Sequence, residues 1–177
     1  MEKNNIYLIG LSGTGKSTVG KELAKITNLS FFEMDHEITK IEGYSISEIF
    51  KIKGEEHFRN IESDVLSEIS KNKGYIISTG GGVPIKKYNR ELMNKSGLTV
   101  KLDCNPDVIF NRIKSNQKSI RPLLGSAITL NKIKTMYFER ENIYSFAHHT
   151  IDTSKRIPSE IANSIVDFWI KWMKTNE

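Results

Sequence analysis

The sequence predicts an α/β fold with a parallel sheet, and three observations support this prediction. Apolar runs of strand length alternate with longer stretches in which apolar residues recur every three or four positions. The first apolar run leads through a glycine-rich loop directly into a helical stretch. The chain has 177 residues, 38% of them hydrophobic, without repeat or linker, so residues 1–177 suit one domain with a buried core.

Five short apolar segments are predicted to be strands. They are Ile6–Ile9, Phe31–Met34, Tyr75–Ser78, Leu98–Leu102 and Thr150–Ile151. The helices between them carry apolar stripes that we expect to face the core. The stripes are Val19, Leu23 and Ile26, then Phe58, Ile61, Val65 and Ile69, and finally Ile161, Ile165, Phe168 and Trp172. Residues from about 115 to 126 are polar and basic and include Pro122 and Gly125, which predicts a loop.

Composition narrows the classes of function. The single cysteine, Cys104, excludes an internal disulfide framework and a metal site made by paired thiols. The net charge is +5, but the lysines are scattered singly, which disfavours nucleic-acid binding and favours a small ligand that carries phosphate. The polar start and the short apolar run before Gly10 fit neither a signal peptide nor a membrane span, so we expect a cytoplasmic protein that binds no membrane.

The loop after the first strand, Gly10–Ser17, is a complete G-x-x-x-x-G-K-[ST] motif between a strand and a helix. Its glycines let backbone N–H groups point at phosphate oxygens, and the helix N-terminus adds partial positive charge. Lys16 can reach the outer phosphates, and Ser17 can coordinate Mg²⁺. A chance glycine-rich turn is the alternative, which the complete motif disfavours. We expect nucleotide contacts from Gly13, Thr14, Gly15, Lys16, Ser17 and Thr18.

Asp35 and three glycines follow the second and third strands, at the edge where ligands bind in open α/β sheets. A carboxylate at Asp35 can orient and deprotonate a hydroxyl, but capping of the next helix is an equally good interpretation of this residue alone. Gly80, Gly81 and Gly82 indicate either a flexible turn or a close approach to the backbone. Their position at the same edge as Asp35 favours the close approach.

Two arginines lie on or beside apolar helix faces. Arg59 is next to Phe58 and can turn inward or form a surface salt bridge with Glu55 or Glu62. Arg140 falls on the apolar face of its helix, so it requires an internal carboxylate or a bound anion. Two arginines that converge on one site favour a substrate carboxylate, which a guanidinium group can bind through two hydrogen bonds.

Arg121 belongs to the polar loop. Solvation is the ordinary role of an arginine in such a loop. An arginine that a closing lid delivers can also neutralise charge on a phosphoryl group during transfer, so Arg121 is a candidate catalytic residue.

The order of these motifs resembles the shikimate kinase family, from Ile6 to about Pro158. The motifs are the P-loop Gly10–Ser17, Phe32-x-x-Asp35, Gly54–Glu62, Gly80–Gly82, Arg121–Leu124 and Arg140-x-x-x-Tyr144. The resemblance implies a P-loop NTPase of the nucleoside-monophosphate-kinase type, a three-layer α/β/α sandwich with a five-stranded parallel sheet. It implies phosphorylation of shikimate at its 3-hydroxyl by ATP with Mg²⁺, a step in the biosynthesis of chorismate and the aromatic amino acids.

The resemblance also implies roles for the acceptor-binding residues. Asp35 would hold the acceptor hydroxyl, and Arg59 and Arg140 would hold the shikimate carboxylate. The backbone of Gly80–Gly82 would line the ring, and Arg121 would act from the lid.

For the nucleotide, the resemblance implies that adenine lies against Arg156 and Pro158 and against an arginine before the lid. Arg112 is the candidate for that arginine, although its distance along the sequence from Arg121 is about two residues longer than the family pattern implies. Lys114 is the alternative. The family's usual Asp-x-Asp after the second strand is also altered, because its first position is Glu33. Glu33 would still help to hold Mg²⁺, together with Ser17.

Two other classes of function remain open. A related gluconate or nucleoside-monophosphate kinase shares the P-loop but does not explain the order of the later motifs. A nucleotide-dependent binding module without turnover is the second alternative, and the joint presence of Lys16, Asp35 and Arg121 argues against it. The expected partner is therefore a small molecule, and we expect a monomer.

Asn94–Gly97 resembles the start of the guanine-binding motif of GTPases but lacks the closing Asp. We expect a helix to end there instead. His148 and His149 are adjacent and are expected to be ordinary residues near the last strand, since neighbours rarely bind one metal ion.

Overall fold

The computed structural model describes residues 4–115 and 128–175. Five strands and seven α-helices follow one another along these residues. The strands are β1 Asn5–Ile9, β2 Ser30–Glu33, β3 Tyr75–Ser78, β4 Gly97–Asp103 and β5 His149–Asp152. The helices are α1 Lys16–Thr27, α2 Met34–Glu42, α3 Ile46–Ser70, α4 Lys87–Ser96, α5 Pro106–Ser115, α6 Leu130–Tyr144 and α7 Pro158–Thr175. A short 3-10 turn, Val83–Ile85, follows β3.

The five strands form one parallel sheet in the order β2-β3-β1-β4-β5. Tyr7 of β1 pairs with Ile77 of β3 on one side and with Thr99 of β4 on the other. β1 is therefore central, and all of its residues are buried. The strands β2 and β3 lie on one side of β1, and β4 and β5 lie on the other. Where the strand order reverses in this way, the loops at the carboxyl ends of the strands separate and leave a crevice.

Side chains of β1 alternate between two cores, as the pleat of a strand requires. Ile6 and Leu8 pack in the core that α1 and α7 cover. Tyr7 and Ile9 pack in the core on the opposite face, which helices α2 to α6 cover. Helices thus lie on both faces of a parallel sheet, which confirms the predicted three-layer α/β/α sandwich.

The predicted strands are confirmed with small shifts of their ends. β2 ends at Glu33, and Met34, predicted as the last strand residue, is the first residue of α2. Helix α4 ends at Ser96, within the predicted segment, and its C-cap Gly97 is also the first residue of β4. One core prediction is wrong: Ile26 lies in the final turn of α1 and is 50% exposed, whereas Val19 and Leu23 of the same stripe are buried.

Helix α3 begins with a capping box, in which Ser45 accepts from the Glu48 backbone and Glu48 accepts from the Ser45 backbone. The helix is kinked at Gly54, whose φ of 84° and ψ of 170° are not helical. A glycine adopts such a backbone conformation at little cost. The part of α3 after the kink carries Phe58, Arg59 and Glu62, all of them buried. None of the described helices is long and apolar enough to span a membrane.

Candidate active site

A cavity of about 710 Å³ lies at the carboxyl ends of the strands. The segments after β1, β2, β3 and β5 line it, together with side chains of α3, α5 and α6. Sixteen of the predicted site residues line this cavity: Gly13, Thr14, Gly15, Lys16, Ser17, Thr18, Glu33, Asp35, Arg59, Gly80, Gly81, Gly82, Arg112, Arg140, Arg156 and Pro158. The parallel topology brings them together because it places all these loops at one edge of the sheet. Arg121 and most of the predicted lid lie outside the described residues.

The P-loop meets α1 at Gly15, which has a left-handed backbone with φ of 97°. Gly15 is the N-cap of α1, so the free backbone N–H groups of the first helical turn lie at the loop. The Lys16 ammonium group folds back along the loop, where its Nζ donates to the carbonyls of Gly10 at 2.8 Å and Leu11 at 2.9 Å. The loop therefore presents both a cation and backbone donors to the cavity, the chemistry that binds phosphate.

Ser17 and Glu33 meet at the N-terminal end of α1. The Ser17 hydroxyl donates to Oε1 of Glu33, and its oxygen lies 3.4 Å from Oγ of Ser78. The three side chains form a cluster of oxygen donors, the ligand type that Mg²⁺ prefers. Among the described residues, no group of three His, Cys, Asp or Glu side chains could hold a metal ion.

Asp35 lies in the first turn of α2 and lines the cavity. The capping interpretation of Asp35 is wrong, because the N-cap of α2 is Glu33, and its side chain makes no capping hydrogen bond. The Asp35 carboxylate instead lies beside Gly80: a Cβ on that glycine would be 2.9 Å from Oδ1 of Asp35. Asp35 is thus placed at the cavity wall opposite the end of β3.

Arg59 is held inside by two carboxylates. Its side chain is 9% exposed, and Nη1 donates to Oε2 of Glu62 at 2.6 Å while Nη2 donates to Oε1 of Glu55 at 2.9 Å. The guanidinium carbon lies 5.4 Å from the ring centre of Phe58 and 5.9 Å from that of Phe50. Both interpretations of the sequence apply together: Arg59 points inward, and it forms the salt bridges with Glu55 and Glu62.

Glu62 is the most buried carboxylate of the cavity wall, with a side chain 1% exposed. Burial, and to a smaller extent the neighbouring Asp35 charge, raises the pKa of Glu62 to about 7, although Arg59 and Arg140 oppose the shift. The Glu62 carboxyl is therefore poised to change its charge near neutral pH. Arg59 both pairs with Glu62 and lines the cavity. The charge of the Glu62 carboxyl therefore determines how much of the positive charge of Arg59 is neutralised before a ligand binds.

The three glycines after β3 are places of close approach. A Cβ on Gly80 would be 2.6 Å from Oε1 of Glu62, and a Cβ on Gly82 would overlap the Arg59 guanidinium group. Gly81 is less crowded, since its nearest neighbours would lie 3.4 Å away. The close approach predicted from the sequence is present, and the protein's own Glu62 and Arg59 make it.

Arg140 reaches the same loop from α6. Its Nη1 donates to the Gly81 carbonyl at 2.6 Å, and the Tyr144 hydroxyl donates to the same oxygen at 2.7 Å. The sequence predicted a carboxylate or a bound anion as the partner of Arg140, whereas the structure adds a backbone carbonyl. One end of the guanidinium group is thus fixed, while the residue still lines the cavity near Arg59 and Glu62.

The far end of the cavity lies between α5 and the loop after β5. Nη2 of Arg112 donates to the carbonyl of Thr153 at 2.7 Å, which holds this arginine across the cavity wall. Lys114, the alternative, is not among the described residues that line the cavity, and its Nζ lies 5.9 Å from the ring centre of Phe110. This geometry favours Arg112.

Arg156 and Pro158 lie at the start of α7, on the same stretch of cavity wall. The Nη2 of Arg156 donates to the Glu160 carbonyl at 3.0 Å and to the Ser164 hydroxyl at 2.6 Å. The arginine is therefore anchored to α7, and its position is fixed by the helix.

Sequence reasoning assigned no role to several residues of the site. Glu62 and Tyr144 stand within the recognised motifs. The pair of Glu62 with Arg59 was one of the alternatives for Arg59, whereas the Gly81 carbonyl as the partner of Tyr144 required the fold. Thr153 and Phe50 gave no signal of their own. A buried threonine directly after a strand that ends at the ligand edge is the feature that could have pointed to Thr153.

Comparison with known proteins identifies the family. The family model for shikimate kinase matches residues 12–169. The chain belongs to the shikimate kinase family. Family membership separates it from the gluconate and nucleoside-monophosphate kinases considered above, and it agrees with the resemblance seen in the order of the motifs.

Individual family members match over nearly the whole chain. A shikimate kinase from Sulfurihydrogenibium sp. is 41% identical over 162 residues, which are 92% of this chain and 95% of that protein. A solved shikimate kinase from Acinetobacter baumannii, in complex with shikimate, is 33% identical with a TM-score of 0.89 and covers 96% of this chain and 94% of its own. A gluconokinase from Sinorhizobium meliloti 1021 is 15% identical with a TM-score of 0.60, and at that identity it shows a common fold alone.

Proposed function

We propose that this protein is a shikimate kinase, which transfers the γ-phosphoryl group of ATP to the 3-hydroxyl of shikimate. The observation that carries the proposal is the convergence of Asp35, Arg59 and Arg140 on the cavity that the P-loop also lines. We call the part lined by the P-loop, Arg112, Thr153, Arg156 and Pro158 the nucleotide side. The part lined by Asp35, Arg59, Gly80–Gly82 and Arg140 is the acceptor side.

On the acceptor side, Arg59 and Arg140 bind the substrate carboxylate. Arg59 is held by Glu55 and Glu62, and Arg140 is held by the Gly81 carbonyl, so both guanidinium groups are positioned before the substrate arrives. The backbone of Gly80–Gly82 lines the ring, and the absence of a Cβ at Gly80 and Gly82 lets Glu62 and Arg59 lie against this segment. This arrangement turns the 3-hydroxyl towards Asp35.

In the chemical step, a bond forms between the 3-hydroxyl oxygen and the γ-phosphorus, and the bond from that phosphorus to the β–γ bridging oxygen breaks. Asp35 accepts the hydroxyl proton. Lys16 and the N–H groups of the P-loop bind the developing negative charge on the phosphate oxygens. Arg121 adds positive charge to the transferred group from the predicted lid.

Mg²⁺ fits the oxygen cluster beside the P-loop. Ser17 and Glu33 would hold it, directly or through its water ligands, since they offer a hydroxyl and a carboxylate at the N-terminal end of α1. The ion would neutralise charge between the β- and γ-phosphates. Glu33 is one methylene longer than the aspartate of the resemblance and reaches Ser17 from the end of β2.

On the nucleotide side, the adenine of ATP lies between Arg112 and the segment Arg156–Pro158. The proposed enzyme acts as a monomer of one domain in the cytoplasm. Neither nucleic acid nor a membrane has a part in the reaction. Sedimentation at several protein concentrations tests the monomer.

A coupled assay of ADP release, with purified protein, ATP and Mg²⁺, tests the proposed function. Shikimate, quinate, gluconate and nucleoside monophosphates are compared as acceptors at equal concentrations. We expect turnover with shikimate alone, and phosphorus NMR of the product should show the phosphate on the 3-oxygen. Turnover with another acceptor in place of shikimate would refute the assignment of the acceptor side, and ATP binding without turnover would favour a binding module.

A further inference from the structure

Thr153 occupies an unusual position between the P-loop and the loop after β5. It directly follows β5 and is buried, with 1% of its surface exposed. Its Oγ1 lies 3.0 Å from the Thr14 carbonyl oxygen, across 139 residues of sequence, and 3.0 Å from the Asp103 carbonyl oxygen. A buried hydroxyl at this place therefore touches the P-loop itself.

The hydroxyl is not needed to hold the loop after β5 on the sheet. The backbone N–H of Thr153 already donates to the Asp103 carbonyl at 2.8 Å, and the preceding residue, Asp152, pairs with Asp103 in the ladder. Two contacts depend on the side chain alone: Oγ1 lies 3.0 Å from the Thr14 carbonyl oxygen, and it accepts from Nη1 of Arg112 at 3.4 Å. Since a hydroxyl has one proton to donate, the Thr14 carbonyl is its distinctive acceptor.

This contact fixes the orientation of one P-loop peptide. A trans peptide is planar, so its C=O and N–H groups point in opposite directions, and the described residues contain no cis peptide. When Thr153 holds the Thr14 carbonyl, the N–H of Gly15 in the same peptide is directed away from Thr153. Gly15, with its left-handed backbone, is the residue at which that peptide could otherwise rotate at low cost.

The other end of Thr153 holds Arg112. Its backbone carbonyl accepts from Nη2 of Arg112 at 2.7 Å. One buried residue thus contacts both the loop that would bind the phosphates and the arginine that would lie against the base.

We propose that Thr153 is a positioning residue for the nucleotide, whose hydroxyl holds the Thr14–Gly15 peptide so that the Gly15 N–H is presented to the polyphosphate of a nucleoside triphosphate. This inference rests on the proposed use of ATP. It assigns a binding function to a residue that contacts the nucleotide only through the P-loop.

The test is a calorimetric titration of Thr153→Val, a nearly isosteric change that removes the hydroxyl. Three ligands are titrated: ATP, inorganic tripolyphosphate, which shares only the phosphates, and shikimate. We expect about tenfold weaker binding of both ATP and tripolyphosphate and unchanged binding of shikimate. Thr153→Ser, which keeps the hydroxyl, should restore the affinities of the wild type.

Thr150→Val is the matched control, because it makes the same chemical change on an exposed residue of β5. We expect it to alter none of the three affinities. If Thr153→Val does not fold, Thr153→Ala is compared with Thr153→Ser, since these two differ by the hydroxyl alone.

Three outcomes overturn the inference. Unchanged affinity for ATP in a folded Thr153→Val would show that the hydroxyl is only structural. Weaker binding of ATP with unchanged binding of tripolyphosphate would place the effect at Arg112 instead of the P-loop, and equal losses for all three ligands would indicate general damage. Failure of the wild-type protein to bind ATP is a different result, which refutes the proposed function.

Discussion

The nucleotide side and the acceptor side of the cavity are built in different ways. The nucleotide side is built mainly from backbone groups. The P-loop is one continuous segment that runs into α1, and its hydrogen-bond donors are the backbone N–H groups of the loop and of the first turn of α1. The acceptor side is made mostly of charged side chains from α2, α3 and α6, and its two arginines already have partners in the protein. Arg59, for example, has two carboxylate partners of its own.

This difference has consequences for sensitivity to mutation. A backbone cradle depends on local conformation, so one glycine or one anchoring hydrogen bond controls it. The side-chain wall depends on pairs that bury charge, and removal of one member of such a pair leaves the other uncompensated. Substitutions on the acceptor side should therefore alter shikimate binding and chemistry while nucleotide binding persists.

The largest effect is expected for Asp35→Ala. Loss of the group that we propose accepts the hydroxyl proton should lower kcat by about 10²- to 10⁴-fold, while the dissociation constant for ATP, measured by titration, changes little. Asp35→Asn is the control for shape, because it retains the volume but not the basicity. Normal turnover in either variant would remove Asp35 from the mechanism, and a large loss of ATP affinity would break the separation of the two sides.

A smaller but substantial effect is expected for Gly82→Ala. The new methyl group would overlap the Arg59 guanidinium group and displace it from the cavity wall. Steady-state kinetics should show a KM for shikimate raised by about tenfold or more, with the KM for ATP nearly unchanged. Gly81→Ala is the matched control on the neighbouring residue. A Cβ at Gly81 would lie 3.4 Å from its nearest atoms, an ordinary contact distance, so its effect should be smaller. Equal effects of the two substitutions would contradict the contact between Arg59 and Gly82.

The smallest effect concerns the pH dependence of stability through Glu62. Burial raises its pKa to about 7 in the folded protein, against an ordinary value of 4.5, so the folded state retains the proton to higher pH than the unfolded state. The resulting stabilisation is complete below pH 4.5 and is lost as the pH rises through 7. Glu62→Gln cannot ionise, so the melting temperature of the wild type minus that of this variant should fall between pH 5 and 8. A difference that grows with pH would mean that the ion pair with Arg59 outweighs burial.

The sequence predicted the nucleotide side better than the acceptor side, and the reason is physical. The P-loop is specified by eight consecutive residues, Gly10–Ser17, whose spacing alone defines strand, loop and helix. The parallel sheet was equally predictable, since apolar runs and helical stripes alternate along the chain. Both features depend on local pattern.

On the acceptor side, the sequence indicated which residues turn inward but not what they contact. Gly82 must be glycine because Arg59 from α3 lies against it, a contact between elements that no local pattern specifies. The Gly81 carbonyl as the partner of Arg140, and Glu33 instead of Asp35 as the N-cap of α2, likewise follow from tertiary structure. The nucleotide side contains one contact of this kind as well. Thr153 and Thr14 are 139 residues apart in the sequence, so their hydrogen bond also required the fold.

The central claim is that Arg59 and Arg140 recognise the carboxylate of the acceptor, and a cycle of substrate and protein changes tests it most directly. KM values are measured for shikimate and for its methyl ester, which lacks the charge, with the wild type and with Arg140→Ala. The account predicts that the wild type binds the ester roughly tenfold to a hundredfold more weakly than the acid, and that Arg140→Ala loses most of this discrimination, so that the two changes are not additive. Equal KM values for acid and ester in the wild type, or fully additive penalties, would show that the arginines serve the protein's own structure and not the substrate.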